Sequence, residues 1–282
     1  MIAVLGGSGF LGKHVVRALK ERRVGFTLLD RRELRSPDEI RRALRGATQV
    51  LHLAGRINGS PQALKEANPG LMRRLTEAVK QSEVRRILYV SSAAAQFQKG
   101  PYGRSKGEAE EVLRASGIPH LIFRPTLLYG EGDTKNIATL EKVIQRSPWI
   151  PLLGGGIFLI QPLYVEDAVN ALIQALESPL KNRVYNLAGP RQISLKEMIE
   201  SVAETLGKRP RLISVPLKPV QVLAKSWSFF FPNTRLPVKQ ILELDQHRAF
   251  DIEDAKTDLG FRPRPFREGI RAMKARGPVC AG

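Results

Sequence analysis

The sequence predicts an α/β fold: a doubly wound parallel sheet carrying a smaller, mostly C-terminal lobe. Three observations predict it. Short, uniformly apolar runs alternate with amphipathic stretches through the first two thirds of the chain, as strands covered by helices on both faces require. The first such run breaks at once into glycines at 6, 9 and 12. The second ends in an acidic residue, Asp30.

Ile2 to Leu5 is the first strand, followed by Gly6-Gly7-Ser8-Gly9-Phe10-Leu11-Gly12. Lys13 to Arg22 is amphipathic, with Val15, Val16 and Leu19 on one face, and Phe26 to Leu29 is the second strand. Strand, glycine turn, helix, strand and acid is the order of a dinucleotide site. Gly6 allows a sharp turn, Gly9 a close approach to a pyrophosphate, and Gly12 close packing of helix on strand. The turn and first helical residues, Gly6, Ser8, Gly9, Phe10, Leu11 and Gly12, are the candidate cradle, because a helix N-terminus presents N–H groups to phosphates.

Ser36-Pro37-Asp38-Glu39 caps a short helix running to Leu44. Val50 to Leu53 is the next buried strand, and its small-residue turn, Leu53-Ala54-Gly55, lets backbone pass close to a cofactor. A helix near 70–81 precedes the strand Arg86 to Val90, which ends in Ser91-Ser92-Ala93. Tyr102-Gly103-Arg104-Ser105-Lys106 opens a helix running to Ala115, and strand His120 to Phe123 leads into Arg124-Pro125-Thr126. From Gly130 the pattern loosens. Order returns with a helix from Val165 to Leu176 and a last strand, Val184 to Leu187. Ser194-Leu195-Lys196-Glu197 is a capping box for a helix that stops at Gly207, and the tail from Pro210 is expected to carry short helices. The expected organisation is a nucleotide-binding domain over 1–130, a lobe insertion over 131–162, a return to the sheet over 163–190 and a C-terminal lobe over 191–282.

Composition narrows the function. The single cysteine, Cys280, excludes a disulfide framework and a thiolate metal cluster, and no metal site is expected. A strand beginning at residue 2 leaves no room for a secretory signal, so a cytoplasmic location is expected. The longest uncharged run, Ser147 to Val165, contains three prolines and three glycines and therefore reads as loops and a strand rather than a membrane span. The net charge of +18 admits three readings: attraction of an anionic small molecule, an anionic surface, or compositional bias. No nucleic-acid motif accompanies the spread-out arginines, and nucleic acid is not expected as a partner.

Tyr102 and Lys106 stand four apart on one helix face. A nearby ammonium stabilises a phenolate, so Tyr102 is expected to have a lowered pKa and to act as a general acid or base. Ser92, at the carboxyl end of a neighbouring strand, is placed to hydrogen-bond a carbonyl or alkoxide.

These motifs, with His52 to Gly55, Tyr89 to Ala94, Tyr129-Gly130, Tyr164 to Asp167 and Leu259 to Pro263, together resemble the extended short-chain dehydrogenase/reductases, the NAD-dependent epimerase/dehydratase group. The resemblance implies a Rossmann-type sheet, Tyr102 as the proton-transfer residue, Lys106 as its activator and a ligand of the nicotinamide ribose, and Ser92 as the substrate's hydroxyl partner. It also implies that Leu53, Ala54, Gly55, Pro125 and Thr126 line the cofactor. The expected substrate is a nucleotide sugar, and Ala93-Ala94, standing where a dehydratase has an acidic pair, favours an epimerase or reductase. The run Ile160-Gln161-Pro162-Leu163-Tyr164-Val165 stands where the sugar-nucleotide epimerases carry Arg-Asp-Tyr-Ile-His-Val, so it lacks their diphosphate-binding arginine. The branch with hydroxysteroid dehydrogenase-like members and the complex I accessory subunit is similar too, which makes a hydroxysteroid-like dehydrogenase or a non-catalytic cofactor-binding assembly subunit the alternatives. Asp30 would accept the ribose 2′-OH and favour NAD over NADP, while Arg31 would accommodate a 2′-phosphate. A homodimer is expected from the resemblance, and peripheral membrane contact through 219–232 from its Trp and Phe residues between cations.

Overall fold

An apolar run without polar relief is stable only where both faces of its strand are covered, and this condition decides where each early segment goes. The computed structural model describes residues 1–216 and 249–275; the stretch 219–232 lies outside them. The chain opens with β1 (Ile2–Leu5), α1 (Phe10–Glu21), β2 (Phe26–Leu29), α2 (Pro37–Ala43) and β3 (Gln49–His52). Next come α3 (Pro61–Lys65), a π-helical turn (Glu66–Gly70), α4 (Leu71–Lys80), β4 (Arg86–Val90), α5 (Gly100–Ala115) and β5 (His120–Pro125). They are followed by β6 (Leu128–Tyr129), α6 (Ile137–Arg146), β7 (Trp149–Leu153), β8 (Leu159–Ile160), β9 (Leu163–Tyr164) and α7 (Val165–Glu177). The rest is β10 (Arg183–Leu187), β11 (Ile193–Ser194), α8 (Leu195–Thr205), β12 (Arg211–Val215), α9 (Glu253–Leu259) and α10 (Phe266–Ala275).

Two units result. The first holds Met1–Thr126, Val165–Ala188 and Asp251–Pro263. Its sheet runs β10-β5-β4-β3-β1-β2, every pair parallel. The chain leaves β1 for β2 on one side and returns to β3 on the other, so β1 and β3 flank a topological switch point. Ala3, Leu5, Val50, Ile87, Tyr89 and Ile122 pack with Leu75 of α4 and Leu113 of α5 in one core. The α2 capping box forms as expected, Ser36 Oγ accepting from Glu39 N and Glu39 Oε2 from Ser36 N. Arg86 closes the end of α7 by donating to the carbonyl oxygens of Ala175, Leu176, Ser178 and Leu180. Asp251–Pro263 joins this unit through Tyr185 Oη to Asp258 Oδ2, 2.7 Å, and Asn186 Nδ2 to the Asp251 carbonyl, 3.1 Å.

Among the described residues the second unit holds 127–164, 189–216, 249–250 and 264–275. Its described strands pair as β6 with β9, β7 with β12 and β8 with β11. Tyr129, Ile144, Ile150, Ile199, Phe266 and Ile270 form its core. One expectation is corrected here. The tail after Pro210 opens with a strand, β12, rather than a helix, because Leu212 and Ser214 fall in register with Ile150 and Leu152 of β7. Among the described residues no helix is long and apolar enough to cross a membrane, and no acidic, His or Cys cluster is placed to hold a metal.

Candidate active site

The glycine turn is built by the contacts it permits. Gly6 has φ +84°, and a Cβ there would sit 2.5 Å from the Ala54 nitrogen. A Cβ on Gly12 would sit 2.1 Å from the Gly6 carbonyl oxygen. The turn after β1 therefore lies against the turn after β3, where Leu53 N donates to the Leu5 carbonyl at 2.8 Å. Gly9 is the N-cap of α1 and no side chain caps that end, so the first-turn N–H groups of Phe10 and Leu11 face outward beside exposed Ser8. This uncapped N-terminus over a side-chain-free turn fits a pyrophosphate. Asp30, exposed after β2, uses Oδ1 to accept from Arg32 N and Glu33 N, which leaves Oδ2 for a ribose hydroxyl. Arg31 is exposed beside it and makes no ion pair among the described residues.

Ser92, Tyr102 and Lys106 are gathered at the carboxyl end of β4. Ser92 Oγ caps the 3₁₀ turn after β4, accepting from Ala94 N at 3.2 Å, and lies beside the Tyr102 hydroxyl. Tyr102 is half-buried in the first turn of α5, which opens two residues earlier than the sequence predicts. One turn on, Lys106 is buried, its Nζ donating to the Val90 carbonyl at 2.9 Å. Burial lowers its pKa to about 7 against the opposing charge of Glu110. A lowered pKa was expected for Tyr102; it is instead raised, because burial outweighs the influence of Ser92. Pro125 and Thr126 lie at the carboxyl end of β5, with Thr126 N on the Leu187 carbonyl at 3.0 Å.

Three further residues escaped sequence reasoning. Ser91 turns away from Ser92 and donates to Glu110 Oε1 at 2.6 Å. Glu110, 1% exposed, also accepts from Arg124 Nε and Nη2 and from Arg114 Nη2. Burial alone would raise its pKa; the hydrogen bonds from Arg124 and Ser91 and the two guanidinium charges prevail and lower it. Asn68, buried in the π-helical turn, accepts from Arg56 N at 3.0 Å and donates to the Arg56 carbonyl and to Ser105 Oγ, tying the turn after Gly55 to α5. The signal for Glu110 was available: a carboxylate one turn beyond Lys106, with Arg124 ending a nearby strand.

The family model for "NAD dependent epimerase/dehydratase family" matches residues 2–188. The chain is 30% identical over 251 residues to a ceramide reductase of Caulobacter vibrioides, covering 81% of this chain and 78% of that one. It is 24% identical over 287 residues to the mitochondrial NADH dehydrogenase [ubiquinone] 1 alpha subcomplex subunit 9 of Arabidopsis thaliana, covering 90% and 70%. Its fold is shared with UDP-glucuronic acid 4-epimerase of Bacillus cereus, solved with UDP-glucuronic acid and NAD: TM-score 0.75 at 20% identity, covering 97% and 98% of the two chains. With the match running from β1 through β10, the chain belongs to the NAD-dependent epimerase/dehydratase family, within the extended short-chain dehydrogenase/reductases.

Proposed function

We propose that this protein is an NAD(P)-dependent oxidoreductase that interconverts a secondary alcohol and a ketone. The observation that carries the reading is that Ser92 and Tyr102 meet at the carboxyl end of β4, within one helical turn of a buried lysine. Bound nicotinamide would supply or accept the hydride. Tyr102 would hand a proton to the developing alkoxide, or take one from the alcohol, while Ser92 donates to the same oxygen. Lys106, buried and with a pKa near neutrality, would carry the positive charge that favours a phenolate once a ligand draws it toward Tyr102. The free Oδ2 of Asp30 supports NAD over NADP.

An apolar ketone is the substrate class we favour, on the relation to a ceramide reductase and on Ile160, the residue in place of the epimerases' diphosphate-binding arginine. The amide of the neighbouring Gln161 is consumed within its own unit by the Gly189 carbonyl and by Phe250 N and O. A nucleotide sugar is the second reading, supported by the fold shared with a UDP-glucuronic acid epimerase. Single-turnover absorbance of reduced nicotinamide against a panel of long-chain ketones and nucleotide sugars separates the two. Tight cofactor binding with no oxidation by any of them would favour a non-catalytic assembly role. Tyr102→Phe is expected to keep cofactor affinity and lose roughly 10²- to 10⁴-fold in turnover; unchanged turnover would remove Tyr102 from the mechanism.

A further inference from the structure

An ammonium removed from water has three N–H groups to satisfy, and the Val90 carbonyl takes one of those of Lys106. What lies under the charge is an aromatic face: Nζ stands 4.4 Å over the centroid of the Tyr89 ring. Tyr89 is 1% exposed. Two residues on, Ser91 donates to Glu110, which is gripped by Arg124 and Arg114. His52, the register partner of Tyr89 on β3, stands beside the ring with centroids 5.0 Å apart.

We propose that Tyr89 is a positioning residue for Lys106: its ring face seats the ammonium beside the Val90 carbonyl. The inference rests on Lys106 being the active-site ammonium but concerns how it is held. A lysine stem has four rotatable bonds, so a single carbonyl does not define where its charge sits. A desolvated π face adds a second, electrostatic restraint on the same atom. The titratable groups around Nζ are His52 from β3, Tyr89 from β4 and Glu110 from α5. His52 adds no competing charge, since burial and then the Lys106 charge push its pKa down to about 3. Glu110 favours the ammonium from one turn away. The seat therefore holds a cation without neutralising it, leaving Lys106 ion-pair-free among the described residues.

The test is an NMR titration of cofactor-free protein carrying ¹³Cε-lysine, with the Lys106 resonance assigned by its loss in Lys106→Met. In the wild type, ring current should shift the Lys106 Hε protons upfield, and a random-coil position for them would overturn the proposal with no variant needed. Tyr89→Phe keeps the π face and should keep both that shift and the titration midpoint. Tyr89→Leu keeps apolar bulk but no π face, and should lower the midpoint by about one unit, a tenfold loss in proton affinity. A midpoint unchanged or raised in Tyr89→Leu, or lowered equally in Tyr89→Phe, would sink it. Failure of the catalytic reading would look different: turnover would survive Lys106→Met while the titration still reported the seat.

Discussion

A buried ammonium costs free energy that its surroundings only partly return, and for Lys106 the balance can be read in the pH dependence of stability. Its pKa falls from 10.5 to about 7 on folding. Between those values the unfolded chain binds a proton that the folded chain does not, so stability rises with pH across the window. The penalty is complete below pH 7 and absent above 10.5. The melting temperature of cofactor-free wild type should therefore climb relative to Lys106→Met as pH rises from 7 toward the ordinary tyrosine value of 10.0. Parallel curves for the two proteins would show that the lysine stays protonated. At this scale the sequence was informative for Ser92, Tyr102 and Lys106, whose spacing is local. It was silent on Tyr89 and Asn68, because a residue one strand or one π-turn away becomes a neighbour only after the sheet and α5 have packed. The expected lowering of the Tyr102 pKa failed for the same reason: spacing shows which residues share a helix face, not how much water each retains.

Glu110 joins three segments through side chains alone: the turn after β4 through Ser91, β5 through Arg124, and α5, on which it sits and where Arg114 also reaches it. Removing its charge would leave the buried part of that guanidinium pair uncompensated, so Glu110→Gln should cost about 3–5 kcal/mol in chemical denaturation. Its lowered pKa contributes stability above the ordinary 4.5 that is lost as pH falls through the folded value, and the variant should flatten that acid limb. A loss below about 1 kcal/mol would place the network among weakly coupled surface pairs. The glycine turn makes a second element-scale prediction. Gly6→Ala meets both a positive φ and the Ala54 nitrogen, so it should cost about 2 kcal/mol or more and abolish cofactor binding in calorimetry. Retained affinity would move the cofactor away from this turn. Elements of the first unit were legible because each buried strand is a continuous apolar run. In the second unit β6, β8, β9 and β11 are two residues long and carry no period to detect, and β12 has no fully buried residue for an apolar pattern to mark.

Across the whole molecule the excess of +18 has to be carried by solvent-facing groups, and part of it is concentrated. Arg31, Arg32, Arg35, Arg42 and Arg45 are all exposed within fifteen residues of sequence and make no ion pair among the described residues. Other cations are neutralised locally, as Arg41 is by Asp38 and Arg74 by Glu66. Unpaired like charges repel in the compact state and less so in the expanded one, so they lower stability by an amount that salt screens. The Debye length shrinks from about 30 Å at 0.01 M to about 8 Å at 0.15 M, which covers the spacing of neighbouring surface arginines. Raising sodium chloride across that range should raise the melting temperature, with most of the gain complete by the upper value. A flat response would mean that the charge is already compensated within the fold. The same titration separates the readings of the charge: compositional bias predicts that chloride and sulfate differ only as their ionic strengths do. A cation cluster built to hold an anion predicts a saturable extra gain with sulfate or phosphate, abolished by Arg31→Ala/Arg32→Ala.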